Sequence, residues 1–100
     1  MNNKEFLREF EITLNTMKRI VKAKNQDYAN GDAFKNFKSC ENLGLCSAEK
    51  GILIRMSDKM ARISNLLDRE AEVHDEKIED TLLDLANYSI ILLLLIESKR

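Results

Sequence analysis

From Phe6 to Val21 the apolar side chains Phe6, Leu7, Phe10, Leu14, Met17 and Val21 recur every three or four positions. That spacing puts them on one face of a helix. The pattern fades over Lys22-Ala23-Lys24-Asn25. A second period runs from Ser47 to about Leu67 through Ile52, Met56, Met60, Ile63, Leu66 and Leu67. Ser47 has the chemistry of an N-cap, and Glu49 suits the first turn. A polar stripe of Arg55, Asp58, Lys59, Arg62 and Asn65 accompanies the apolar one. A third helix is expected from a cap at Asp75 to the C-terminus, where Lys99 and Arg100 would complement its negative end.

Between these helices the chain is less regular. Asp27 to Asp32 reads as a turn around Asn30-Gly31. Phe34 and Phe37 lie three apart, which predicts one short helical turn anchoring a long ordered loop. No segment alternates as a strand would, and no repeat is present. The expectation is all-α: one domain over 1–100, a helical bundle of three principal helices with that loop. Ile90 to Ile96 is apolar on every side. Two other helices cannot wrap such a segment, so a homodimer or higher homo-oligomer packing through the C-terminal helix is expected.

Composition narrows the picture. The chain has 100 residues, no Pro, three Gly and no Trp, which favours long helices. A net charge of −1 gives no basis for non-specific nucleic-acid binding. Met1-Asn2-Asn3-Lys4-Glu5 has no apolar signal core, and Ile90–Ile96 falls short of the roughly 18–20 residues of a membrane span. A cytoplasmic protein with no membrane partner is expected. Cys40 and Cys46 are then expected to be reduced thiols, a disulfide across their short loop being the minority reading. His74 alone could add a third soft ligand, so a zinc site has little support.

The chemistry concentrates late in the chain. Glu76, Asp80 and Asp84 are each four residues apart and Asn87 follows, all on one helical face. Asp84 stands among Leu82, Leu83, Leu85 and Ala86. A carboxylate there requires a cation or strong hydrogen bonds. Magnesium held by Glu76, Asp80 and Asp84, with Asp58, is one reading. Ion pairing with Arg55, Lys59 and Arg62 is another, and a solvated face is a third for Glu76 and Asp80. In the loop, Lys24, Asp27, Tyr28, Phe34, Asn36 and Phe37 mix aromatics with polar groups, which suits stacking and hydrogen bonding of a nucleobase. For Phe34 and Phe37 plain core packing is the slightly favoured reading over stacking. No Walker A, G-x-G-x-x-G or G-x-S-x-G motif is present.

Three blocks taken in order resemble a known family. They are Lys24-Asn25-Gln26-Asp27-Tyr28 with Phe34 and Asn36-Phe37; Gly51 to Lys59 with Arg62 and Asn65-Leu66; and Asp75-Glu76 with Glu79 to Tyr88. They resemble the nucleotide-modification-associated domain family of bacteriophages and bacteria, over roughly residues 22 to 95. That family looks like a distant relative of the all-α MazG-like nucleoside triphosphate pyrophosphatases. These are helical dimers or tetramers that hold Mg2+ on helix-borne acids. Asp84 fits the last Asp of their Glu-x-x-Asp pair, but Thr81 stands where the Glu would be, with Asp80 one step back. Their Glu-x-x-Glu pair has no counterpart; Asp58, Lys59 and Arg62 stand there.

The resemblance implies a nucleotide-binding protein. As a Mg2+-dependent hydrolase of a (deoxy)nucleoside triphosphate, it would use Asp80 and Asp84 as catalytic carboxylates, with Asp58 and Glu76 as further metal ligands. Arg55, Lys59 and Arg62 would face the phosphates, while Lys24, Asp27, Tyr28, Phe34, Asn36 and Asn87 would hold the rest of the substrate. Two rivals stand beside this. One is a non-catalytic binder that sequesters a nucleotide, such as an immune signalling nucleotide, in the host cytoplasm if phage-encoded. The other is a helical protein-interaction module.

Overall fold

The computed structural model describes residues 1–25, 31–69 and 77–100. Those residues are helical or in turns, and no strand occurs among them. The elements are α1 (Asn3–Lys24), a 3-10 turn (Lys35–Phe37), α2 (Ser39–Asn42), α3 (Ala48–Arg69) and α4 (Ile78–Ser98). The all-α expectation, with three long helices, holds. The chain divides into two compact units, Met1–Ala33 and Phe34–Arg100.

The first unit is α1. Its start is fixed by a capping box: Glu5 N–H donates to Asn2 Oδ1 at 2.8 Å, and Asn2 N–H donates to Glu5 Oε2 at 3.4 Å. Lys22 and Lys24 in the last turn complement the helix dipole. The predicted apolar stripe forms, with the Phe6 and Phe10 rings 5.9 Å apart. Among the described residues of this unit there is no second helix, and Phe6, Leu7, Phe10 and Leu14 are exposed.

The second unit is built on α3 and α4. Glu49 meets Lys99, Lys59 meets Asp84, and Ala48 and Ile52 cluster with Leu95. Early residues of α3 therefore meet late residues of α4, and the pair is antiparallel. Ala48, Ile52 and Leu95 are fully buried, with Phe34, Phe37, Met56, Tyr88, Ile91 and Leu92 packed against them. Phe34 and Phe37 flank the predicted helical turn, which serves as the anchor their spacing implied.

Short-range chemistry sets the entry to α3. Gly44, at φ +75°, is the one positive-φ residue among those described. It ends α2 in a Schellman turn: Gly44 N–H donates to Glu41 O at 3.0 Å and Leu45 N–H to Cys40 O at 2.9 Å. The reversed chain then lets Ser47 Oγ accept from Lys50 N–H at 3.1 Å, the predicted N-cap bond. Glu41 Oε2 accepts from Ala48 N–H, also at 3.1 Å. Two side chains thus satisfy first-turn donors that would otherwise lack partners.

The face of α3 that packs on α4 differs from the sequence expectation. Ile52, Met56, Lys59, Ile63 and Leu66 are the sheltered positions, while Met60 and Leu67 are 60% and 66% exposed. Position 59 falls on the face set by Ile52, Met56, Ile63 and Leu66, where Asp84 pairs with the Lys59 ammonium, and Met60 is one residue further round the helix. Leu53, Met60 and Leu67, seven residues apart, consequently form a second apolar stripe facing away from α4. On α4, Leu82, Ile90, Leu93 and Leu94 are also exposed, in keeping with a helix apolar on all sides.

By length and composition alone α4 is long and apolar enough to cross a membrane, a wider reading than Ile90–Ile96 suggested. Its first half, however, carries Glu79, Asp80 and Asp84. The expected cap at Asp75 lies outside the described residues; within them α4 begins after Lys77 in extended conformation.

Candidate polar seam between the two long helices

On α4 the positions Thr81, Asp84 and Asn87 are each three apart, so they share a face. Thr81 and Asn87 are buried, and Asp84 between them is half-buried. From α3, Lys59 reaches this strip, and its Nζ lies 3.1 Å from Asp84 Oδ2. The two side chains keep only 20% and 25% of their exposure. Water screens such a pair far less than a surface pair. An apolar pair of similar volume would hold two helices together at least as well, so stability alone does not explain it. No buried side-chain polar atom lacks a partner among the described residues.

One helical turn earlier on α3 is Arg55. Its guanidinium carbon lies 5.0 Å above the centre of the Phe37 ring, and its Nη2 donates to Asn36 O at 3.4 Å. Tyr88 also meets the Phe37 ring, edge-on at 6.2 Å and 90°. Asn36, Phe37, Arg55 and Tyr88 thus form a chain of contacts from the 3-10 turn across α3 to α4. The carbonyl of Asn36, not its side chain, makes this link. Beside Phe37 and Arg55 is a cavity of about 340 Å³, also lined by Cys40, Cys46, Gly51 and Ile54.

The expected site residues therefore separate into groups. Phe34, Asn36, Arg55, Lys59, Asp84 and Asn87 belong to the α3–α4 seam or the turn packed on it. Asp58, Arg62 and Asp80 are exposed. Lys24 ends α1 and belongs to the first unit. Asp27, Tyr28 and Glu76, like His74, lie outside the described residues. Core packing is the visible role of Phe34 and Phe37. Sequence reasoning missed Thr81 as a buried polar neighbour of Asp84. An i−3 check around Asp84 would have found it.

Among the described residues no three His, Cys, Asp or Glu side chains come together as a metal site would require. Asp80 and Asp84 are one turn apart on α4, and Mg2+ takes one or two carboxylates when nucleotide phosphates complete its shell. Two such carboxylates would hold a divalent ion only with further oxygens from outside the protein.

No match was found among curated proteins or among solved structures. The profile of the family described as nucleotide modification associated domain 1 matches residues 24–96, a span that takes in the 3-10 turn, α2, α3 and nearly all of α4. The chain belongs to the nucleotide modification associated domain 1 family.

Proposed function

We propose that this protein binds a phosphorylated nucleotide along the α3–α4 seam. The observation that carries the reading is the sheltered Lys59–Asp84 pair, flanked by buried Thr81 and Asn87 and by Arg55 one turn away. Such a pair is a poor helix glue but a good exchangeable anion site, because a phosphate oxygen can take the place of a carboxylate oxygen at Lys59. Arg62, exposed seven residues beyond Arg55 on the same helix, extends the basic stripe by about 10 Å at 1.5 Å per residue. That length suits a chain of phosphates. Asn36 and the 3-10 turn lie at the end of the stripe where a nucleoside would sit.

Metal-dependent hydrolysis in the MazG-like manner is the catalytic form of this reading, favoured by Asp80 and Asp84 standing one turn apart. A bound magnesium ion would supply charge neutralisation at the phosphates. Asp80 and Asp84 would hold it, and Arg55, Lys59 and Arg62 would orient the polyanion. Sequestration without turnover uses the same residues and needs fewer acids. A homodimer closing over the exposed stripes of α3 and α4 belongs to either form.

Isothermal titration of the purified chain with ribo- and deoxynucleoside triphosphates, with and without magnesium, tests the reading. Binding that Lys59→Met abolishes is the expected result, with product analysis separating hydrolysis from sequestration. Unchanged affinity in that variant, or no heat with any nucleotide, contradicts it.

A further inference from the structure

The two cysteines are six residues apart in sequence, yet the Schellman turn at Gly44 folds the chain between them back on itself. Both thiols then point at Gly51 on α3. A Cβ built there would lie 2.5 Å from Cys40 Sγ and 3.9 Å from Cys46 Sγ. Any larger residue at position 51 would push the Cys40 sulfur out of its place. Both thiols are free, half-buried, and line the cavity beside Phe37 and Arg55. Cys40 Sγ lies 3.8 Å from Phe37 O and 3.6 Å from Ser47 O, so its S–H has weak acceptors on both sides.

We propose that Cys40 and Cys46 form a reversible dithiol–disulfide couple that reacts with small-molecule disulfides of the glutathione type. The turn that would close the ring is already made in the reduced protein, so little chain ordering remains to oppose closure. A small disulfide reaches the sulfurs through the cavity. One cysteine thiolate attacks the oxidant's S–S bond and expels one small thiolate, leaving a mixed disulfide on the protein. The second cysteine loses its proton and attacks the protein-bound sulfur, expelling the second small thiolate. Two protein thiols are oxidised to one disulfide, and one small disulfide is reduced to two thiols. A hydrogen bond with Cys40, then burial, raises the Cys46 thiol above its ordinary value, so its thiolate is scarcer near neutral pH and its attack slower. This couple is independent of any nucleotide.

The test is intact-mass spectrometry of the full chain after incubation with oxidised glutathione and an acid quench. The wild type should lose both titratable thiols together and about 2 Da in mass, with no adduct, and dithiothreitol should restore both. Cys40→Ser and Cys46→Ser should each stop at one glutathione adduct. Stable glutathione adducts on the wild type, a disulfide-linked dimer, or unreacted thiols would each overturn the proposal. The wild-type measurement decides the matter even if a serine variant folds poorly.

Discussion

Replacing Lys59 by Met removes the cation beside a carboxylate that keeps only 25% of its exposure. Breaking a fully buried pair costs about 3–5 kcal/mol, and an exposed pair is worth about 0–1 kcal/mol. The Lys59–Asp84 pair lies between these limits, which gives about 1–3 kcal/mol for Lys59→Met. Asp84→Leu strands the ammonium instead and should cost a similar amount. The double variant places two apolar side chains in the same seam, next to Met56 and Ile63, and should return to within about 1 kcal/mol of the wild type. Urea unfolding of all four proteins at one fixed concentration supplies the cycle, fixed because any self-association would shift the midpoints. A coupling of about 1–6 kcal/mol is expected, the sum of the two single losses less what the double variant retains. Simple addition of the two single losses would refute the idea that the charges compensate each other inside the seam. Nucleotide binding should be lost in the double variant although its stability returns, which separates the two roles of the pair.

Three further outcomes follow from other contacts. Gly51→Ala drives a Cβ against Cys40 Sγ and should cost about 1–3 kcal/mol in thermal unfolding despite the better helix propensity of Ala; adding Cys40→Ala should reverse the loss. Lys99 Nζ lies 2.7 Å from Glu49 Oε1, and this hydrogen bond holds the Glu49 carboxyl below its ordinary value and the Lys99 ammonium above its own. The stability from Glu49 is therefore present above the ordinary carboxylate pKa and lost as pH falls through the depressed one; that from Lys99 is lost as pH rises through the raised one. Lys99→Met should lower the melting temperature slightly at neutral pH, and the difference should vanish in strong acid. Finally, Glu at Leu53, Met60 and Leu67 together should convert a homo-oligomer to monomer by light scattering if the exposed α3 stripe joins two copies; an unchanged mass removes that stripe from the interface.

Much of the second unit was legible because its signals are local. An apolar period located α3, the acidic start, apolar run and basic end pointed to α4, Phe34 and Phe37 marked the turn, and Ser47 capped α3 as its chemistry implied. The side of α3 that faces inward was not legible. Lys59 and Met60 are neighbours about 100° apart around the helix, and apolarity alone selects Met60. The partner that makes an ammonium tolerable there, Asp84, is 25 residues away. The same limit applies to the candidate site. The residue types facing each other across α3 and α4 could be read from the sequence, but not which base meets which acid. Arg55 lies above Phe37 and donates to the Asn36 carbonyl, a contact that no period in the sequence signals. The capping box of Asn2 and Glu5 was readable from its spacing and overlooked. The Schellman turn at Gly44 depends on a positive φ that the short Asn42-Leu43-Gly44 stretch signals only weakly.

The most direct test of the account is where a nucleotide touches the chain. Amide chemical shifts recorded by two-dimensional NMR, while nucleoside triphosphates and magnesium are titrated in, should move for residues 55–62 of α3 and 80–87 of α4. Lys59→Met should erase those shifts. If the perturbed amides lie elsewhere, or nothing moves at saturating nucleotide, then the α3–α4 seam holds no phosphates and the account is wrong.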